Sequence, residues 1–568
     1  MNSKNRFNWS FILLIVIIMC FLIHSETTIC LAQSQLTVEQ LINDLACASC
    51  HPGFTIASEI REKTPDLSHA GLRYNPAYLF DYLQNPTKVR QHIGYSRMPN
   101  FNFREKESLA LVLFLETQSY VDDKWPDFPS GLDSGKHKDR AAKAVLIDSL
   151  ECVKCHELEG NGKNTSTDLT TVGYRLNRQW LGEYLVAPYV FDGPNTKMPS
   201  YFYQLASRKG KFIQMLPQAA ETIKILVTYL FSLNKDKQIQ LQRAYEKAKK
   251  AYPDVNAAMG KKIFLSQNCV ACHKHALIKP WQEYIAPDLS IEGARVKREW
   301  LTAYLQKPSP IRPFGFYPGS GSRMPDFGLS DEEVDLLRDY LSKQTRASNS
   351  NAQIFKEKKL SAFSMQKARR ILRTKLSCLG CHQLRDEGGR IGPNLSGLKS
   401  RLQPAFVYQF IQGPKEILRE TIMPKTIMPS KNLELIVNFL LQQEDSTSDS
   451  NYLSLTDNPL HFYQGPEQSF SLYVKYCASC HGVDGDGNGY NAKYLPTAPT
   501  NYSDRTYMST RSDDTLFDGI FAGGYILNKS HLMPPWGHTL ERSEIRQLVA
   551  VLRRFCQCQG PEWSRDNN

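Results

Sequence analysis

The sequence is short of most features that would decide a function at first reading. Outside one recurring pattern cysteine is scarce: ten of the fourteen cysteines in 568 residues fall into five copies of that pattern, which excludes a dense disulfide scaffold. No apolar run beyond residue 23 is long enough to span a bilayer, so the rest of the chain is expected to be soluble. A basic stripe is also missing. The formal net charge is +12, yet the lysines and arginines are scattered, with modest concentrations only at 235–250 and 356–375 and no interleaved aromatics, which argues against nucleic acid as a partner. Biased composition is absent too: 41% hydrophobic and 22% charged residues are ordinary for packed protein, and at about 100 to 200 residues per domain the length allows three to five domains.

What is present begins with an address. Lys4 and Arg6 precede the thirteen-residue apolar run Phe11 to Ile23, and Cys30-Leu31-Ala32 offers small residues for cleavage. Residues 1–32 therefore read as a signal peptide and the protein as periplasmic or otherwise exported. The alternative is an uncleaved anchor, which would give the otherwise span-free chain one transmembrane segment. Bulky Ile29 speaks against lipidation at Cys30. Removing Lys4, Arg6 and Glu26 with the segment lowers the net charge by one, to +11.

The recurring pattern is Cys-x-x-Cys-His, at Cys47-Cys50-His51, Cys152-Cys155-His156, Cys269-Cys272-His273, Cys378-Cys381-His382 and Cys477-Cys480-His481. It is the attachment pattern of c-type haem. Two thiols a turn apart add to the two vinyl groups, and the adjoining imidazole is carried onto the iron. Five copies imply five covalently bound haem c groups. The first cysteines lie 105, 117, 109 and 99 residues apart, so the motif marks a repeat of domain size. The expected domains are 36–120, 138–234, 254–344, 360–444 and 466–558. The stretches 119–138, 234–252 (helical by composition), 343–358 and 443–467 read as linkers.

Repeats one to four share a second pattern. Pro65-Asp66-Leu67, Thr167-Asp168-Leu169, Pro287-Asp288-Leu289 and Pro393-Asn394-Leu395 follow the motif, and six residues beyond each leucine stands Arg73, Arg175, Arg295 or Arg401. A short helix follows, with aromatics four apart on one face and a closing proline: Tyr78, Tyr82, Pro86; Trp180, Tyr184, Pro188; Trp300, Tyr304, Pro308; Phe406, Phe410, Pro414. A last helix closes each repeat with an apolar stripe, as at Ile223, Leu226, Val227, Leu230 or Leu433, Ile436, Val437, Leu440. In repeat three a capping box, Ser330 to Glu333, opens it.

Ahead of that helix a Met-Pro pair occurs in every repeat: Met98, Met198, Met324, Met423 and Met533, each followed by proline. A thioether opposite the histidine completes six-coordinate iron and raises its potential. Met215 rivals Met198, and Met428 rivals Met423; the distance from methionine to last helix favours Met423. Ligation by two histidines is the competitor, but repeats two and four hold no second histidine. His69, His92, His275, His531 and His538 are expected to be exposed or capping.

These residues together resemble the class I cytochromes c, and the resemblance runs over nearly all of 36–558. It implies an all-α fold, a tandem array of five haem domains. It further implies that the carbonyls of Pro65, Pro287 and Pro393 accept the proximal imidazole's N–H within their own repeats, with Thr167 in that place in repeat two, and that the four arginines neutralise haem propionates. About ten propionate charges would bring the assembled protein near neutrality. Repeat five is the outlier, similar to small electron-shuttle cytochromes. Its run Gly482 to Gly489 opens like a calcium loop but has Leu495 where a glutamate is needed, so it reads as a haem-side turn.

From histidine to Pro65, Thr167, Pro287 and Pro393 the interval is 14, 11, 14 and 11, and repeats one and three alone share Arg-Met-Pro-x-Phe. The expected origin is duplication of a two-haem unit, in which case the one–two and three–four pairs should dock alike. Cys556 and Cys558 are left to pair together, stay free or bind a partner chain. The function expected is single-electron transfer between redox protein partners of a respiratory chain. The alternatives are a haem enzyme, peroxidase or nitrogen-oxide reductase, with one open iron, and an electron-delivery subunit of a membrane respiratory complex.

Overall fold

The computed structural model describes residues 36–564 except 54–59, 90–92, 123–124, 127, 129–138, 194–195, 200, 206–212, 280–285, 312–322, 346–354, 420, 446–453 and 457–467. The signal segment 1–32, His92 and parts of three linkers lie outside the described residues. The chain is helix-rich, and among the described residues the only ladders are Glu157–Leu158 with Asn161–Gly162 and Tyr203–Leu205 with Ile213–Met215. Among these residues no helix is long and apolar enough to cross a membrane.

Local chemistry sets the helix ends. The helices before three of the motifs start on side-chain caps: Thr37 before Val38–Asp44, Asn256 before Ala257–Ser266 and Ser361 before Ala362–Thr374, each satisfying an amide that has no partner inside its helix. The middle helices, Pro76–Gln84, Arg178–Val186, Arg298–Gln306 and Pro404–Gln412, all stop two residues before the proline foreseen to end them. Their aromatics pair as the four-residue spacing requires, with ring centroids 5.5 Å (Tyr78–Tyr82), 5.0 Å (Trp180–Tyr184), 4.7 Å (Trp300–Tyr304) and 5.4 Å (Phe406–Phe410) apart. The stretch expected to be a helical linker is the helix Lys235–Ala251, and it does more than connect: buried Leu241, Tyr245 and Ala248 join the apolar cluster around the middle helix of repeat one.

Repeats two, four and five fold back on themselves, the helix before the motif packing on the last helix of the same repeat. Repeats one and three do not, which corrects the expectation of one self-contained domain per repeat. Ala257–Ser266 of repeat three packs on Glu105–Glu116, the last helix of repeat one, while Val38–Asp44 of repeat one packs on Asp331–Leu341, the last helix of repeat three. The physical cause is legible at Gly260. A Cβ there would lie 1.9 Å from the Ala110 carbonyl oxygen, so only glycine lets the two helix backbones come this close.

The pairs one–two and three–four dock alike, as duplication requires. At the first junction the Asn75 amide donates to the Arg175 carbonyl (3.0 Å) and Asn177 to Arg73 (2.8 Å); at the second Lys297 donates to Arg401 and Gln403 to Arg295, both at 2.9 Å. Tyr74 faces Leu176, and Val296 faces Leu402, in the same antiparallel bridge.

Candidate haem sites

Each motif histidine is held by its Nδ1. In repeats two, four and five the partner comes from the same repeat: His156 to the Thr167 carbonyl (2.6 Å), His382 to Pro393 (2.7 Å) and His481 to Thr500 (3.0 Å). Thr167 thus does what the prolines do, since only a carbonyl is needed. In repeats one and three the partners are exchanged, a correction to the own-repeat roles implied for Pro65 and Pro287: His51 meets Pro287 (2.8 Å) and His273 meets Pro65 (3.1 Å). With Nδ1 engaged, Nε2 is the atom able to reach a metal, and the bond fixes the ring orientation.

Around the histidines the chain builds apolar walls. A cavity of about 760 Å³ runs through three of the sites, reaching Cys50 and His51, then Cys378, Cys381 and His382, then Cys477, Cys480 and His481. Burial pushes the thiols of Cys47, Cys50, Cys269 and Cys477 up to about 12, and Cys378 up to about 11. Such thiols resist becoming the thiolates that zinc or disulfide chemistry needs. A neutral thioether to a vinyl group suits this burial.

The arginines sit where two repeats meet. Arg73 stacks over Trp180 (4.6 Å to the centroid) and Arg175 over Tyr78 (5.6 Å), and the Nε atoms of both are buried without a hydrogen-bond partner. Arg401 is buried deeply enough to be pushed down to about 10, with Arg295 as the next cause. The Arg175 Nη1 donates to the Thr171 hydroxyl (3.2 Å), so it is the buried Nε atoms of Arg73 and Arg175 that lack a partner, while Arg401 and Arg295 line the apolar cavity; such placements fit the carboxylates of a porphyrin. Arg295 differs, since its Nε donates to Glu292 (2.8 Å). The sequence reading missed a glycine two residues before three of these arginines. Gly71, Gly173 and Gly293 pass so close to the carbonyls of Glu116, Leu230 and Ser342 that a Cβ would lie 2.2, 2.7 and 2.1 Å from them. The signal was there as Gly-x-Arg.

The methionines divide into two kinds of loop. Met98 and Met533 pack into the apolar clusters that hold Cys269 and Cys477, respectively, and Met324 lines the cavity with His51. Met198 and Met423 share a turn in which the methionine amide donates to a threonine hydroxyl two residues back, Thr196 (3.3 Å) and Thr421 (3.2 Å), although the sequence pattern Thr-x-Met-Pro also occurs at Thr426–Pro429 around the rival Met428. Their rivals Met215 and Met428 are the ones packed in the clusters with Cys152 and Cys378. Met423 lines the cavity together with Met428.

Of the remaining described histidines, His275 is hydrogen-bonded locally, while His69 and His531 each keep a buried Nε2 without a partner. His69 differs from expectation in being buried: it opens the turn Ala70–Arg73, packs edge-on against Trp125 at 5.2 Å and is pushed down to about 4 by burial. His275 caps a turn, its Nδ1 accepting from the Leu277 and Ile278 amides. His538 lies beside Met423 in a small pocket, and the Nε2 of His531 is buried without a partner. In repeat five Gly482, Gly485 and Gly487 adopt positive φ, and the Gly487 amide returns to the His481 carbonyl (2.8 Å), which makes the run a turn beside the motif. Cys556 and Cys558 are joined in a disulfide.

Cys-x-x-Cys pairs that are mostly half-buried, histidines held through Nδ1 by a carbonyl and helices packed around an apolar slot form sites that fit haem of the c type. Two comparisons with known families agree. Residues 257–345 match the model for cytochrome c, and residues 465–551 match the model for cytochrome c oxidase, cbb3-type, subunit III. No curated protein matches the chain. These two stretches are cytochrome c-like domains, and they support covalently bound haem c and electron transfer as the chain's chemistry.

Proposed function

We propose that the protein is an exported five-haem cytochrome whose sites form one row, moving single electrons between redox partners of a respiratory chain. The observation that carries this reading is the alternation of contacts between neighbouring sites. Repeat two meets the arginine side of repeat one through Arg73 and Arg175. The motifs of repeats one and three adjoin, Arg61 donating to the Ala271 carbonyl, with Cys47 and Cys50 each within electrostatic reach of Cys272. Repeats three and four meet at Arg295 and Arg401. Repeats four and five meet again through their motifs, Asn491 donating to the Gly380 carbonyl (2.8 Å) while Cys381 feels Cys480.

Vinyl and propionate groups sit on opposite edges of a porphyrin, so this alternation supports an edge-to-edge order: His156, His273, His51, His382, His481. Haem c supplies one-electron cycling between ferric and ferrous iron. The chain's own residues would hold it: apolar walls keep water from the slot, a carbonyl orients each imidazole through Nδ1, and a methionine thioether would serve as a further ligand. Repeats two and five, at the ends of the row, each have one neighbour and are the ports for partners. The similarity of repeat five to an oxidase subunit supports a membrane respiratory complex as the partner at that end. The apolar run Phe11 to Ile23 supports export.

The test is carbon monoxide on the dithionite-reduced protein. No spectral change is expected, because every iron has its methionine. A shift worth one haem in five would replace the carrier with an enzyme having an open iron. In repeats two and four the Met-Pro pattern of the other repeats selects Met198 and Met423, whereas packing beside Cys152 and Cys378 selects Met215 and Met428; alanine at each in turn decides, the ligand being the one whose loss opens an iron to carbon monoxide.

A further inference from the structure

Repeats one and three are exchanged at more than one bond. Besides His51 with Pro287 and His273 with Pro65, the Leu289 amide donates to the Pro52 carbonyl (3.2 Å) and the Leu67 amide to the Lys274 carbonyl (3.0 Å). In repeat four the same bond, Leu395 to Gln383 (2.8 Å), stays within the repeat. The apolar surroundings follow suit. Met98 shares a cluster with Cys269, Val270 and Phe264 of repeat three. Cys47 shares one with Trp300, Leu301 and Leu341, and Met324 lines the cavity with His51.

The methionine loops are clamped across the same divide. Asn100 and Asp326, two residues beyond each methionine, exchange both backbone hydrogen bonds at 2.7 Å. The arginine before each methionine reaches the other repeat's capping-box glutamate: Arg97 to Glu333 (2.7 Å) and Arg323 to Glu107 (3.0 Å). That explains why these two repeats alone carry Arg-Met-Pro-x-Phe. They also alone have the interval of 14 between histidine and proline, and the three added residues give up to about 10 Å of chain for crossing over.

We infer that repeats one and three build two haem sites only jointly, the iron on His51 taking Met324 as its second axial ligand and the iron on His273 taking Met98. This rests on the reading that the motifs hold haem, and the experiment separates the two. In the full-length protein Met324→Ala opens one iron to carbon monoxide. With Cys47→Ala and Cys50→Ala already in place it should open none, because the haem it covers is gone; with Cys269→Ala and Cys272→Ala in place it should still open one. The reverse dependence would overturn the exchange. The cysteine variants' haem content, four instead of five by pyridine haemochrome, tests the haem reading alone. Should those variants fail to accumulate, the wild-type holoprotein decides. Lys274 contacts Glu62 at 2.7 Å and Lys399 contacts Glu357, both on the surface. Carbodiimide should couple each pair into an amide found by peptide mapping. Coupling of Lys399 with Glu357 but not of Lys274 with Glu62 would overturn the proposal.

Discussion

Gly260→Ala is expected to destabilise the joint unit of repeats one and three more than any other single methyl addition. The new Cβ would lie 1.9 Å from the Ala110 oxygen, 2.5 Å from its carbonyl carbon and 2.8 Å from the Phe114 Cβ. Backbone atoms in the middle of a helix cannot step aside as a flexible side chain would, so the two helices must separate, and Phe114 and Phe264, now 5.1 Å apart, lose their packing. Overpacking of this kind costs about 1–3 kcal/mol, and a backbone clash belongs at the upper end or beyond. For a unit of this size that lowers the melting midpoint by about 6–12 °C. Calorimetry of the oxidised holoprotein reads it. Gly328→Asn is the control, since Gly328 has φ +57 with open space around its Cβ position; asparagine tolerates that conformation, and a change within about 0.5 kcal/mol is expected. A shift as small for Gly260→Ala would mean that these helices do not cross here.

The second large effect is expected at Arg323. Its side chain is 2% exposed and that of Glu107 is fully buried. The guanidinium also donates to the Phe101 (3.3 Å) and Asn102 (2.9 Å) carbonyls, and Glu107 accepts from the Leu455 amide (2.7 Å) and the Arg104 amide (2.9 Å). Arg323→Met leaves the carboxylate buried without its cation, which costs about 3–5 kcal/mol. Adding Glu107→Gln removes the stranded charge but keeps a single acceptor oxygen, and because the Leu455 amide meets Oε1 and the Arg104 amide Oε2, one of the two loses its acceptor; the double variant should recover part of the loss. Denaturant unfolding measures both. Carbon monoxide supplies the functional reading: the single variant should bind it, because the Met324 loop is released, and the double variant should bind less. A double variant no more stable than the single one would assign the loss to packing rather than to charge.

Much is legible in the sequence. The motifs, their spacing and the aromatic pairs are local patterns, and local patterns set helix and turn positions directly: the middle helices stop ahead of Pro86, Pro188, Pro308 and Pro414, and the Ser330–Glu333 capping box forms as read. The expectation that the one–two and three–four pairs dock alike came from the alternating intervals, and the matching bridges at Tyr74–Leu176 and Val296–Leu402 agree with it. Other features were visible yet unread, such as Gly-x-Arg and Thr-x-Met-Pro, because their meaning lies in a backbone passing close by or in a turn hydrogen bond.

The sequence by itself determined the chemistry: which residues carry thiols, imidazole and thioether, how far apart they stand, and that helices present them. Only the tertiary structure decided which half of repeat one belongs with which half of repeat three. Periodicity cannot make that choice, because the halves of the two repeats are patterned alike and either pairing buries the same kinds of face. The decision falls to contacts between residues far apart in the chain, the glycine that admits Ala110 and the two arginines that find each other's glutamate. Distance along the chain is invisible to local pattern, while a buried charge or a backbone clash is felt only once the partner has arrived.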